Sequence, residues 1–351
     1  MKLLKLSFSL LAVLAIAQAA RAADSAFLGK IRQVTTGFEK AGEGYFSPNG
    51  KTIIYQAIRR EYPFYQIYSQ PLKGEKPGVE PRPKLISTGR GRTTCSFFSP
   101  DGKRILFASS HRDPKLYATE AGVRKQQAED RATGRRRRYS WDFDPHMDIY
   151  EADLNGKILK RLTKSYGYDA EGAYSKDGKK IAFCSSRDGD ADIYIMNSDG
   201  SGVKQLTNTK GYDGGPFISP NGKWVVYRTD RIKEHHLQIH VVSVDGKTDS
   251  TLTTKPNWVN WGPYWHPTKP YIIWSGADHS KRGRPNYDLW ITRYEVKRGK
   301  MEIGEIQRVT ANPGADVLPV FSPDGKKLMW TSTRTKNRTS QLFIADFHLP
   351  K

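Results

Sequence analysis

The chain reads as an all-β repeat protein, and three observations lead there. A decapeptide of strand, tight turn and strand recurs six times along 351 residues. Each copy is followed by the same two further strand-like segments. The two ends of the chain hold complementary parts of one repeat. Together these predict six four-stranded antiparallel blades in a closed ring, a six-bladed β-propeller.

The decapeptide appears as Phe46-Ser-Pro-Asn-Gly-Lys-Thr-Ile-Ile-Tyr55, as Phe98-Ser-Pro-Asp-Gly-Lys-Arg-Ile-Leu-Phe107 and as Tyr174-Ser-Lys-Asp-Gly-Lys-Lys-Ile-Ala-Phe183. It returns as Ile218-Ser-Pro-Asn-Gly-Lys-Trp-Val-Val-Tyr227 and as Phe321-Ser-Pro-Asp-Gly-Lys-Lys-Leu-Met-Trp330. A degraded copy, Trp265-His-Pro-Thr-Lys-Pro-Tyr-Ile-Ile-Trp274, has no Gly. Asn-Gly and Asp-Gly tolerate the positive φ of a hairpin turn, and the Pro before them fixes φ where no ladder donor is needed. The apolar, β-favouring run that follows is the second strand.

A third strand opens with a polar residue and an apolar-aromatic pair: Gln66-Ile-Tyr68, Asp148-Ile-Tyr150, Asp192-Ile-Tyr194, Gln238-Ile-His240, Asp288-Leu-Trp290 and Gln341-Leu-Phe343. Because Asp alternates with Gln in this register, the position reads as hydrogen bonding rather than acid–base work. A second turn follows, at Asn155-Gly156, Asp199-Gly200 or Asp245-Gly246, and then a fourth strand such as Leu159–Thr163, Val203–Thr207 or Ile306–Thr310. The last repeat stops after its third strand, Gln341 to Phe347. Near the front, Ile31-Arg-Gln-Val-Thr35 is a fourth strand with no blade before it. That segment is expected to complete the sixth blade, which removes the open edge an unclosed array would expose. The boundaries are blade 1 at 40–90, blade 2 at 91–164, blade 3 at 165–208, blade 4 at 209–254, blade 5 at 255–311, and blade 6 at 312–351 plus 31–35.

Blade 2 carries an insertion, 111–146. Within it Ala118 to Ala132 reads as a short helix, followed by Arg135-Arg-Arg-Arg138 and the aromatic-acidic run Tyr139 to Asp144. The arginine run is either a solvated surface or an anion clamp beside the ring opening, and the Asp residues next to it offer internal neutralisation.

Residues 1–22 read as a secretory signal. Lys2 and Lys5 precede the apolar run Leu6 to Ala17, and Ala17-Gln18-Ala19 or Ala20-Arg21-Ala22 serves as cleavage site. The apolar run is short for a membrane span, no Cys follows it for a lipid anchor, and no other stretch is suited to crossing a bilayer. The expectation is a periplasmic or secreted monomer. Its 57 basic and 36 acidic residues leave a net charge of +21, which attracts polyanions. Export argues against nucleic acid and leaves an envelope protein or an anionic glycan as partner. The two cysteines, Cys95 and Cys184, read as buried free thiols or as one bridge between neighbouring blades.

In such a blade the hairpin turns and the third-to-fourth-strand turns share one face. The second-to-third loops and the blade-to-blade segments share the other, and that irregular face is where function is expected. The second-to-third loops contribute Arg59, His111, Arg187, Arg231, His279 and Arg334. The blade-to-blade segments contribute Tyr168, Asp169, Glu171, Tyr212, Asp213, Trp258, Asn260, Trp261 and Asp316. Read functionally, these ring a channel mouth and hold a polar ligand or extended chain, with Trp258 and Trp261 stacking on a sugar or peptide. Read structurally, Asp and Arg at equivalent blade positions pair to tie loops together, which accounts for about half of the set. His111, His266 and His279, from separate blades, are the set that could converge on a metal. No G-x-S-x-G, H-E-x-x-H or phosphate loop is present, so no catalytic residue, cofactor or metal is assigned.

The S-P-D/N-G-K hairpins, the D/Q-I-Y third strands and the L-T fourth strands resemble the PD40 (WD40-like) repeats of the TolB β-propeller family over nearly all of the chain after residue 22. The resemblance implies a propeller of the cell envelope that binds protein. In TolB itself a leading α/β domain precedes the propeller, which binds the peptidoglycan-associated lipoprotein; that domain has no counterpart here, and the chain reads as a stand-alone propeller. The resemblance also reaches the propellers of S9 peptidases and the oligogalacturonate lyases, which use a His-rich metal site. The expected function is an exported binding or scaffold module. The alternative is a metal-assisted lyase, or another glycan-active enzyme, on acidic polysaccharide.

Overall fold

The computed structural model describes residues 27–74, 80–135, 137 and 142–350. The signal-like segment 1–22 lies outside the described residues, as do Arg136, Arg138 and residues 139–141 of the insertion. Six four-stranded antiparallel sheets are present. Blade 1 is β2 (Lys40–Phe46), β3 (Thr52–Ile58), β4 (Gln66–Pro71) and β5 (Lys84–Leu85); blade 2 is β6 (Thr93–Phe98), β7 (Arg104–Ser109), β8 (Asp148–Asp153) and β9 (Ile158–Arg161). Blade 3 runs β10 (Asp169–Tyr174), β11 (Lys180–Ser185), β12 (Asp192–Asn197), β13 (Lys204–Gln205), and blade 4 runs β14 (Asp213–Ile218), β15 (Trp224–Thr229), β16 (Gln238–Ser243), β17 (Asp249–Thr251). Blade 5 is β18 (Trp258–Trp265), β19 (Tyr271–Asp278), β20 (Asp288–Lys297) and β21 (Lys300–Arg308). Blade 6 takes β22 (Asp316–Phe321), β23 (Lys327–Ser332) and β24 (Gln341–Asp346) from the tail, and β1 (Arg32–Gln33) from the front.

The innermost strands β2, β6, β10, β14, β18 and β22 pack each against the next, and β22 returns to β2. The seam is built as expected. Arg32 pairs with Ile344 and Gln33 with Phe343, and Val34 N donates to Leu342 O at 2.7 Å. Thr35 Oγ1 donates to Gln341 Oε1 at 2.8 Å and accepts from Leu342 N at 2.9 Å.

That Thr is the key to the repeat's spelling. At the end of every fourth strand a hydroxyl accepts from a third-strand N–H: Ser87 from Ile67, Thr163 from Ile149, Thr207 from Ile193, Thr253 from Ile239 and Thr310 from Leu289. In blades 1, 2, 3 and 6 the same hydroxyl also donates to the third strand's leading polar residue, as Thr207 does to Asp192 and Ser87 to Gln66. Hence either Asp or Gln serves there: what the site requires is a buried acceptor oxygen.

The hairpins differ from the expectation in one respect. Only the Gly takes positive φ, +67° at Gly50 and +70° at Gly102. Ser-Pro-Asn/Asp-Gly forms a turn with Gly N donating to Ser O, and the Asn or Asp oxygen accepts from the Ser hydroxyl, at 2.8 Å for Ser47–Asn49. The loop is too long for a two-residue turn in which both central residues go left-handed. In the degraded copy His266 replaces this device: its Nδ1 accepts from the N–H groups of Thr268 and Lys269 at 3.3 and 3.1 Å.

The insertion holds helix α1 (Leu116–Thr133), bracketing the expected 118–132. Glu120 is the buried side chain of this helix, and Gln127 and Arg124 add contacts to Pro63 O and the Tyr62 ring. Glu120 pairs with Arg90 at 2.6 Å and accepts from Tyr62 Oη and from Gly91 N at 3.1 Å. Among the described residues no helix is long and apolar enough to cross a membrane. Cys95 and Cys184 are buried free thiols.

Candidate functional site

The inner strands begin earlier than the sequence pattern suggests. Asp169, Glu171, Asp213, Trp258 and Asp316 were expected in blade-to-blade loops but belong to β10, β14, β18 and β22. Their small and polar residues hid the strand pattern, because an inner strand faces a channel and not an apolar neighbour.

Each inner strand is broken by a bulge at the same place, four residues before the Ser (or His266) of the hairpin. The bulged residue adopts left-handed backbone in every blade: Glu43 (φ 46°), Cys95 (52°), Glu171 (59°), Gly215 (61°), Gly262 (59°) and Leu318 (55°). Four of these are not Gly, and each such residue costs on the order of 1–3 kcal/mol. The bulge turns its N–H toward the preceding blade. Glu43 N donates to Thr331 Oγ1 at 2.9 Å, Leu318 N to Ser275 Oγ at 2.8 Å, and Gly215 N to the Glu171 carboxylate. Pro216, Pro263 and Pro319 follow their bulges at no cost in ladder bonds, since the inner edge has no partner strand.

The ring of bulges encircles a central cavity of about 880 Å³. Two residues deeper lies an aromatic layer. Tyr45 of blade 1 stands 5.9 Å from Phe217 of blade 4 and 6.3 Å from Tyr264 of blade 5. Phe97 is 5.1 Å from Tyr45, and Phe217 is 4.9 Å from Tyr264. Rings from opposite blades therefore meet across the axis and plug the channel toward the hairpin face. The cavity is a well, walled at the loop-rich face by Tyr65, Phe143, Asp230, His235, Trp261 and Tyr287. Phe143 comes from the insertion and rests 5.1 Å from Tyr168 and 5.6 Å from Tyr212.

Its polar groups collect on one side. Glu171 pairs with Arg228 at 3.1 Å, Tyr212 Oη donates to Glu171 at 3.2 Å, and Arg228 Nη2 donates to Tyr212 Oη at 2.5 Å. Burial opposes charge on Arg228, but Glu171, Tyr212 and Glu43 hold its pKa well above the ordinary value. Glu43 accepts from Tyr45 Oη at 3.3 Å. Desolvation, then repulsion from Glu171, pushes its carboxyl up to about 7 against the pull of Cys95, Arg228 and Tyr45. The Cys95 thiol is raised well above its usual range, chiefly by burial, so it is a poor nucleophile. The opposite wall, Gly262-Pro263, Leu318-Pro319, Trp261 and Tyr287, is apolar and aromatic.

Of the residues singled out from the sequence, Glu171, Tyr212 and Trp261 line this well, with Tyr168 behind them. The arginines and aspartates pair off within their own blades. Arg187 binds Asp169 at 3.0 Å, Arg231 binds Asp213 at 2.7 Å and Arg334 binds Asp316 at 2.6 Å. The three carboxylates are fully buried, and each guanidinium lies over blade aromatics: Arg187 over Phe183 and Tyr194, Arg231 over Tyr227, Arg334 over Trp330 and Phe343. Buried acids tied to stacked arginines are staples, not ligand contacts. Arg59 is exposed and stacks on Phe38 and Tyr68. Asn260 is buried, donating to Gln238 Oε1 and accepting from Trp274 Nε1. Trp258 points away from Trp261, into a groove of about 130 Å³ with Lys255 and Trp290.

The three histidines do not meet. His266 lies at the hairpin face, with Nδ1 on backbone amides and its ring 4.7 Å from Phe321. His111 and His279 belong to blades 2 and 5, across the ring from one another. His111 leans on Tyr150 and is pushed down to about 4 by burial, then by Arg112 and Arg161. His279 bonds Tyr287 Oη at 2.9 Å. Among the described residues no group of three or more His, Cys, Asp or Glu side chains is placed to hold a metal. The sequence reading points to neither Glu43 nor Arg228, and to Cys95 only as a thiol and not as part of a site. Aligning the repeats on the hairpin Ser would have put Glu43, Cys95 and Glu171 in one column.

A family model described as the TolB beta propeller domain matches residues 133–285. A structure assigned as TolB from Agrobacterium tumefaciens is similar over 91% of this chain and 97% of its own, with TM-score 0.59 and 19% identity. TolB from Acinetobacter baumannii is similar over 89% of this chain and 65% of its own, with TM-score 0.52 and 20% identity. Oligogalacturonate lyase from Vibrio parahaemolyticus is similar over 90% of this chain and 93% of its own, with TM-score 0.52 and 12% identity. At these identities the structural likenesses speak to fold. With the repeats and the closed ring in hand, the chain has the six-bladed β-propeller fold, and its residues 133–285 match the TolB beta propeller domain model.

Proposed function

We propose that the protein is exported and serves in the cell envelope as a binding module, with its partner held at the loop-rich face and in the central well. The observation that carries this is the well itself, blind at the hairpin face, walled by aromatic side chains and polar on one flank. Its volume falls in the range of ligand pockets, and pockets of this make favour a few directed polar contacts on an apolar bed. The leader-like segment 1–22 and the net charge of +21 suit an exported protein drawn to an anionic envelope surface. A metal-assisted lyase would need converging donors, and His111, His266 and His279 do not supply them.

The test is a fluorescence titration of the purified protein with envelope-derived peptides and with oligogalacturonate, at low and high salt. Saturable quenching, lost in Trp261→Ala and without ultraviolet absorbance from unsaturated product, supports a binding module. Product formed with added divalent metal would replace that reading with the lyase. Expression with the protein's own N-terminus, followed by fractionation, tests export.

A further inference from the structure

The well's charge inventory is unbalanced. Its described lining holds three carboxylates, Glu43, Glu171 and Asp230, and one guanidinium, Arg228. Asp230 is spent on the loop that forms the rim, accepting from Tyr212 N at 2.8 Å and from His235 N at 3.0 Å. Arg228 is spent on Glu171 and Tyr212. Glu43 has neutral hydrogen-bond partners, the Tyr45 hydroxyl and the Cys95 thiol, and feels Arg228 only through space, without an ion pair of its own. Tyr65, Trp261 and Tyr287 line the same well, and aromatic rings favour cations over anions.

We infer that Glu43 is the recognition group for an organic cation, and that the ligand is a polypeptide segment whose lysine side chain enters the well with its alkyl stem on the Trp261–Tyr287 wall. The inference rests on reading the well as the binding site. It also reverses what the net charge suggests: the surface field is positive, but the one charge deficit inside the well is of a cation. A bidentate anion would meet Glu43 and Glu171 without a free guanidinium to receive it. A neutral ligand would leave Glu43 to choose between protonation and an unpaired charge in a low-dielectric site.

Binding should therefore be coupled to protons. The groups around Glu43 are Tyr45 on its own strand, Cys95 on β6, Glu171 on β10, Arg228 on β15 and Tyr65 from the β3–β4 loop. Near neutrality the tyrosines and Cys95, whose titrations burial and the nearby acids push upward, keep their protons, and Arg228 keeps its charge. Glu43 is thus the group in this set that exchanges a proton when an ammonium arrives. A bound ammonium displaces that proton, which leaves to solvent.

Calorimetry on the intact protein tests this with three acetylated, amidated pentapeptides, Gly-Leu-X-Leu-Gly, in which X is lysine, norleucine or glutamate, and with free butylamine. At pH 8 the lysine peptide should bind at least tenfold tighter than the norleucine peptide. That advantage should shrink severalfold at pH 5.5, with up to one proton released near pH 7 in buffers of different ionisation enthalpy. In Glu43→Gln the lysine-to-norleucine ratio should fall toward one. Equal binding of lysine and norleucine by the unaltered protein, or tighter binding of the glutamate peptide, overturns the cation assignment and leaves the binding module standing. Butylamine binding as tightly as the lysine peptide overturns the polypeptide assignment. If no peptide binds saturably, the peptide reading of the well fails, and this inference fails with it.

Discussion

Replacing Glu43 with Gln should stabilise the protein, and by an amount that depends on pH in a defined way. Glu43 sits on a left-handed bulge at the well floor, close enough to Glu171 for repulsion and walled by aromatic rings. Its carboxyl titrates at about 7 instead of 4.5. In the unfolded chain it returns to the ordinary value, so the folded protein binds the proton more tightly. The folded-state advantage is therefore fully present below pH 4.5 and is lost as pH rises through 7. At ~1.4 kcal/mol per tenfold difference in proton affinity, the ionised carboxylate burdens the fold by at most about 3 kcal/mol at pH 8. Gln keeps the shape and the polar contact without the charge. Urea denaturation of both proteins at pH 4.5 and pH 8 should show a small gap at the lower pH. At pH 8 the variant should be the more stable by about 1–3 kcal/mol. A gap of equal size at both pH values, or a variant less stable at pH 8, would refute the electrostatic argument. It would show that Glu43 is held by its contacts and not burdened by its charge.

Three further outcomes are expected. Arg334→Ala leaves Asp316, fully buried, without its guanidinium partner, and should cost about 3 kcal/mol in chemical denaturation; Asp316→Asn in the same background should recover part of that loss. Thr35→Val removes the hydroxyl that bonds both Gln341 and Leu342. It should cost about 1–2 kcal/mol and speed amide exchange in 32–35 and 341–346 together, because the two ends share one seam. Gly215→Ala places a Cβ against the Arg228 guanidinium at φ +61°; it should lower the melting temperature and also loosen the Arg228–Glu171 pair, read as weakened ligand binding.

Much of the architecture was legible because a propeller blade cannot hide its period. Ser-Pro-Asp-Gly needs its turn wherever it occurs, and Asp192 with Thr207 spells a hydrogen bond that blades 1, 2 and 6 repeat with Gln or Asp. Even the seam could be read, since Ile31–Thr35 has the spelling of a fourth strand and only blade 6 lacks one. The Arg–Asp pairs were visible as a choice between staple and ligand contact, and burial decided for staple. The well was less legible. Glu43, Cys95 and Arg228 lie far apart in the chain, in segments with no motif of their own, and inner strands of Gly, Ala and Pro do not announce themselves by alternation. His266 misled because imidazole is equally at home as a metal ligand and as a turn cap. Its place in the degraded hairpin made the cap the simpler role.

The repeat, the blade count and the closure of the ring follow from local chemistry written six times over: turn residues, β-branched runs and a hydroxyl at a fixed offset. Those are short-range choices, and a single chain displays them openly. Which side chains face one another across the axis is a different kind of fact. It depends on the bulge that turns Glu43, Cys95 and Glu171 inward, on rings from opposite blades meeting to floor the channel, and on Arg228 being claimed by one acid and not the other. Those relations join residues from 57 positions apart, Glu171 and Arg228, to 219 apart, Tyr45 and Tyr264, so only the closed ring could bring them together and leave one carboxylate without an ion pair of its own.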